Sequence, residues 1–139
     1  MNGERKVTRS VERANQLVRR YLAKHLDELD VTEIEAHLLA RLAAKGPSSM
    51  ATVQKAFGLR PSTLTNALDR LERRGFLLRR SDPHDRRTFL LELTAAGRRA
   101  ASQVTRLVEA VEARLASRVS KAQLASFDAV MAALEDSLE

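Results

Sequence analysis

Residues 58–94 read GLRPSTLTNALDRLERRGFLLRRSDPHDRRTFLLELT, and the organisation of the whole chain follows from how this stretch folds. Pro61 and Gly75 bound a short helical pattern in which Leu64, Ala67, Leu68 and Leu71 share one stripe, while Ser62, Asn66, Asp69 and Arg73 take the opposite face. One face packs and the other is left to touch a partner. Its small hydroxyls, amide and guanidinium are the groups that hydrogen-bond to base edges and phosphates. Beyond Gly75, residues 76–80 and 88–93 are rich in aromatic and branched apolar side chains and flank a polar turn at 81–87. That pattern predicts a β-hairpin with a projecting loop.

Working upstream, Ser49 is placed to cap a short helix running to about Phe57, with Val53, Ala56 and Phe57 inward, and Gly58 supplies the left-handed residue that stops it. Only Gly58, Leu59 and Arg60 separate this helix from the next, so tight a connection that it marks a helix-turn-helix. Pro61 suits the first helical position, which makes Arg60 the N-cap. Arginine is a poor cap: it cannot accept the free N–H groups and its charge opposes the helix dipole. The misfit is understandable if Arg60 meets a phosphate. Further upstream, Thr32 followed by Glu35 has the form of a capping box, opening a helix from Glu33 to about Lys45 with Ile34, Leu38, Leu39 and Leu42 inward. The segment from Gly46 to Ser49 reads as a turn. From Val7 to Leu29 apolar residues recur every three or four positions, a long amphipathic helix whose other face carries Arg5, Lys6, Arg9, Arg13, Arg19, Arg20 and Lys24. Such a basic face is ordinarily a solvated one.

Downstream, Thr94 is the expected N-cap of a helix to about Ser117, and Ser120 with Gln123 forms a second capping box before a last helix reaching about Leu138. The sum is a mainly α (α+β) chain: a winged helix-turn-helix with flanking helices. We expect one domain, residues 1–139, with 31–94 as the DNA-binding lobe and 1–30 and 95–139 as dimerisation helices. The reason for dimerisation is that long apolar stripes on three terminal helices would stay wet at the edge of so small a lobe. A two-fold pair covers them, and presents two helices to successive major grooves of a pseudo-palindromic site about 34 Å apart.

Composition narrows the partners. A length of 139 residues with 44% hydrophobic content suits one domain and is too short for two independent ones. A net charge of +6 attracts anionic partners, nucleic acid above all. Seven arginines lie between Arg70 and Arg87 against three acids (Glu72, Asp82, Asp85), so much of the surplus charge is expected along one edge. The absence of cysteine removes disulfides, thiolate metal sites and thiol-based sensing, and fits a reducing cytosol. With a charged N-terminus and no apolar run of spanning length, nothing marks export or a membrane anchor. The expected location is cytoplasmic.

The Thr32-x-x-Glu35 helix start, the stretch GLRPSTLTNALDRLERRGFLLRR and then DPHDRRTFLLELTAAG resemble the MarR family of bacterial transcriptional regulators, over essentially the whole chain. The most specific part is Asp85-Arg86-Arg87, followed by a strand ending in Leu93-Thr94 and then Gly97. The resemblance implies a homodimeric repressor on double-stranded DNA whose affinity falls when a small-molecule effector binds. It also implies DNA contacts by Ser62, Thr63, Thr65, Asn66 and Arg70 of the recognition helix, with Arg87 in the minor groove. Arg86 is the expected second phosphate or groove contact, and Asp85 braces the wing by pairing with arginine. Arg60 departs from the small polar cap usual in the family. Chemistry agrees: Asn66 can pair with adenine, Arg70 with guanine, and the Thr65 methyl with thymine. The alternative for Ser62 and Thr63 is an ordinary first-turn role, with DNA contact, mostly to phosphate, the favoured reading, and Arg73 and Arg74 suit the helix dipole at its C-terminal end. The family's ligand crevice would be lined here by Tyr21, His25 and His37, with few aromatics to stack on a large phenolic ligand.

No cofactor is implied. His25, His37 and His84 are scattered without a ligand motif, so no metal site is expected. No nucleophile elbow or phosphate-binding glycine loop is present, and no enzyme is expected. The remaining alternative is a winged-helix module for nonspecific nucleic-acid or protein binding, with no effector response.

Overall fold

A computed structural model of the chain describes residues 6–139, so Arg5, assigned to the basic face of the first helix, lies outside the described residues. The order is α1 (Val7–Glu28), α2 (Glu33–Lys45), β1 (Ser48–Ser49), α3 (Met50–Phe57), α4 (Pro61–Arg73), β2 (Leu77–Ser81), β3 (Phe89–Leu93), α5 (Ala95–Ala116) and α6 (Lys121–Asp136). The helices follow the periodicities and caps of the sequence. Thr32 and Glu35 form the reciprocal capping box of α2, and Ser120 with Gln123 does the same for α6. The Ser49 hydroxyl accepts the Thr52 N–H at the start of α3. Gly58 closes α3 at φ 59°, its N–H donating to Gln54 O, a left-handed position that glycine occupies without a Cβ penalty.

Two details differ from the sequence reading. The segment expected as a turn contains β1, two residues long, which pairs antiparallel with β3 at Ser48–Leu91 and Ser49–Leu90. Three strands thus form one sheet in the order β1-β3-β2, with Leu77 opposite Leu93 and Ser81 opposite Phe89. Two serines carry no alternation of apolar and polar residues, so only the partner strand identifies them as strand. Ala56, expected inward on α3, is exposed, while Val53 is fully buried.

The chain divides into two compact units, the first ending at Leu107 and the second running Val108–Glu139. In the first, Leu38 and Leu39 of α2, Val53 of α3, Leu64, Leu68 and Leu71 of α4 and Leu91 of β3 form a closely packed centre. α5 joins it through Ala100, Ala101 and Val104. Gly97 is where α5 comes closest to the sheet: a Cβ there would stand 1.9 Å from the Phe76 carbonyl oxygen. Thr94 fixes that approach, its N–H donating to Phe76 O and its hydroxyl to Gly75 O while accepting the Gly97 N–H. In the second unit α6 buries no residue, and Phe127 and Val130 are exposed.

Candidate nucleic-acid interface

α4 presents four lines of side chains, fixed by its 3.6-residue turn. The core line is Leu64, Ala67, Leu68 and Leu71, all buried. Opposite it stand Ser62, Asn66 and Arg73, all exposed. Thr63 and Arg70 occupy one flank, and Thr65, Asp69 and Glu72 the other. Arg60 is the N-cap, exposed and with no side-chain capping bond, so Pro61 begins the helix without help from the residue before it.

The two flanks are tied down differently. On the first, Arg70 Nε lies 2.7 Å from Oε1 of Glu35, a carboxylate only 1% exposed, whose other oxygen accepts the Thr32 N–H of the capping box. On the second, Arg79 of β2 reaches Asp69 Oδ1 at 2.8 Å and Glu72 Oε2 at 3.0 Å. One turn beyond Arg70, Arg74 donates to the carbonyl of Asp30 and lies over the Phe76 ring at 4.8 Å. Asp30 itself holds a positive φ of 53°.

The hairpin projects from the same face. Asp85 organises its tip: Oδ1 accepts the Arg87 backbone N–H at 3.0 Å, its carbonyl accepts from Thr88, and the Arg87 Nε stands 3.5 Å away. Asp82 does the same one step earlier, accepting the His84 N–H and the Thr88 hydroxyl. Held this way, the Arg87 side chain is 93% exposed. Arg86 beside it is exposed and, among the described residues, carries no ion pair. A groove of about 990 Å³ is lined by Met50 and Gln54 of α3, Thr65 and Asp69 of α4, and Arg79, Asp85, Arg87, Phe89 and Leu91 of the hairpin.

The expected line of arginines is therefore partly neutralised. Arg70, Arg74, Arg79, Arg80 and Arg87 each face a carboxylate, whereas Arg60, Arg73 and Arg86, among the described residues, carry no ion pair, Arg73 Nε donating instead to the Asp69 carbonyl. Sequence reasoning missed Glu35 and Arg79 as contributors, and Asp69, expected on the free face of α4, is instead turned to the flank where Arg79 holds it. Glu35 was already accounted for as a capping residue, and its second oxygen finds Arg70 across 35 positions of sequence.

The residues expected around a ligand do not come together. His37 lines a crevice of about 500 Å³ with Arg19, Glu33, Ile34, Phe57 and Leu59. Tyr21 and His25 lie outside it, stacked on each other with ring centroids 4.3 Å apart and with His25 Nδ1 2.8 Å from the Tyr21 carbonyl. Helical spacing of four explains that pairing: it turns His25 back onto its own helix. Among the described residues no group of His, Asp or Glu has metal-binding geometry, and no helix is long and apolar enough to cross a membrane.

A three-stranded hairpin sheet packed behind a helix-turn-helix defines a winged-helix DNA-binding class of fold. Residues 31–89 match the family model described as MarR family. YwhA of Bacillus subtilis (strain 168), an uncharacterised HTH-type transcriptional regulator, is 32% identical over 73% of this chain and 79% of its own length. The multiple antibiotic resistance protein MarR of Escherichia coli (strain K12) is 29% identical over 72% of this chain and 69% of its own. Among solved structures, the DNA complex of MepR from Staphylococcus aureus superposes with a TM-score of 0.83 at 22% identity, covering 96% of this chain and 99% of that one. The chain belongs to the MarR family of transcriptional regulators.

Proposed function

We propose that this protein binds double-stranded DNA as a homodimer and regulates transcription, as a repressor that a small-molecule effector releases from a pseudo-palindromic operator. The observation that carries the reading is the exposed polar line Ser62, Asn66 and Arg73 on α4, set beside a wing whose Arg86 and Arg87 project into solvent. MepR, which shares this fold, has been solved bound to DNA. In this reading Asn66 and Thr65 contact bases, Ser62, Thr63, Arg60 and Arg86 contact phosphates, and Arg87 enters the minor groove. Asp85 holds the wing tip. Arg70 takes part through its position beside Glu35, with its Nη groups free for phosphate.

Dimerisation is supported by the apolar residues left exposed on a single chain: Val7, Leu17 and Val18 of α1, Leu115 of α5, and Phe127 and Val130 of α6. Exposed apolar surface of this extent is characteristic of an interface. The crevice beside His37 is the proposed effector site, and the Arg19–Glu33 ion pair at 3.1 Å lies on its lining. The protein is proposed to work in the cytoplasm.

The test is affinity for DNA upstream of the protein's own gene against scrambled DNA of equal length, across a salt series. A regulator prefers its own site by about 10³-fold or more at physiological salt. Equal affinity for both, with steep salt dependence alone, would instead indicate a nonspecific winged-helix module.

A further inference from the structure

α4 is held from both sides by ion pairs of opposite polarity, and the residues facing away from the core lie midway between them. On one flank the helix supplies the cation, Arg70, to the buried Glu35 of α2. On the other it supplies two anions, Asp69 and Glu72, to a single guanidinium, Arg79 of β2. From these contacts we infer that Glu35 and Arg79 are positioning residues for sequence readout: together they fix the roll of α4 about its own axis and so decide which side chains meet the base edges.

The buried stripe of Leu64, Leu68 and Leu71 sets which face of α4 turns inward, and the ion pairs on its two flanks set the small roll that remains. The Arg79–Asp69 contact is a hydrogen bond and so has a preferred direction, while Arg70–Glu35 and Arg79–Glu72 are ion pairs at 2.7 and 3.0 Å. A roll of about 20° carries a side chain at the 5–6 Å helix radius through about 2 Å, more than a bidentate base contact tolerates. Glu35 is well suited to one side of the clamp because burial denies its carboxylate water, and its second oxygen is already committed to the α2 cap. Arg79 is suited to the other because its two terminal nitrogens address carboxylates three positions apart, one turn of the same helix. The second clamp also joins wing to helix, so the minor-groove and major-groove elements keep one register.

This inference rests on the DNA-binding reading above, and the experiment separates the two. The full-length chain is first used to enrich a preferred duplex from a random DNA pool. Affinities for that duplex, for its single-base variants and for a scrambled duplex are then measured by fluorescence anisotropy at one salt concentration. The proteins compared are wild type, Glu35→Gln, Arg79→Gln and Arg79→Lys, with circular dichroism to confirm folding. Glu35→Gln and Arg79→Gln are expected to lower the preferred-to-scrambled ratio by about tenfold or more, with the penalties for single-base changes flattened at every position α4 reads. Affinity for scrambled DNA is expected to hold, and Arg79→Lys to recover part of the ratio by keeping one of the two pairs. Should Glu35→Gln fail to fold, Arg79→Gln and Arg79→Lys carry the test. A ratio within about twofold of wild type in both Gln variants overturns the inference, as does an equal loss on both duplexes, which would make Arg79 a simple phosphate contact. A pool from which the wild-type chain enriches nothing overturns the DNA-regulator reading itself.

Discussion

Arg60 sits where a helix wants a hydroxyl or a carboxylate, and it makes no capping bond there. Arg60→Ser should therefore stabilise the fold by about 1 kcal/mol, read as a higher midpoint in urea unfolding. If Arg60 meets a phosphate as proposed, the same substitution weakens DNA binding, so stability and affinity move in opposite directions. A rise in stability with unchanged affinity would reduce Arg60 to a tolerated misfit. Arg87, almost wholly exposed on a tip that Asp85 organises, is the cleaner test of the wing. Arg87→Ala should weaken binding to the preferred site and lower the salt slope by about one unit. Asn66→Ala should instead relax base preference at one defined position, with little change in the salt slope. Wild-type affinities and slopes in both variants would remove these residues from the interface.

At the scale of elements, the caps and periodicities made the helices legible: Thr32, Ser49, Thr94 and Ser120 each stand where a helix begins and each hydroxyl accepts the expected N–H. Thr32→Ala should cost about 1 kcal/mol, measured by urea unfolding. What was not legible is what connects elements distant in sequence. β1 has no pattern of its own, Arg79 looks like any other wing arginine, and Glu35 was accounted for by its cap before its partner across the fold could be known. The site shows the same division. The exposed line on α4 follows from helical period alone, whereas the pairing that removes Arg70 and Arg79 from the free cations depends on tertiary approach. Gly97 illustrates the other side of the limit. Its place in the sequence pattern is visible, but the reason for it, an α5 backbone lying against Phe76 O with no room for a methyl group, is purely three-dimensional. Gly97→Ala should destabilise the protein by about 1–3 kcal/mol, because the clash is with backbone and relief requires shifting α5. A variant as stable as wild type would mean that α5 does not depend on that approach.

For the molecule as a whole, the terminal helices pose the question that the lobe does not. The first unit has its own buried centre, while α6 buries nothing and Phe127, Val130 and Leu115 stand in solvent on an isolated chain. The proposed homodimer would cover those faces and double the DNA contacts with two-fold symmetry. It would also set the spacing at which two copies of α4 meet the duplex. Hydroxyl-radical footprinting on the DNA upstream of the protein's own gene reads that spacing directly. A dimeric regulator protects two like patches centred about one helical turn, roughly 34 Å, apart on one side of the duplex, with sequences related by a dyad. Protection that is uniform along the fragment, or equally strong on unrelated DNA, would contradict it.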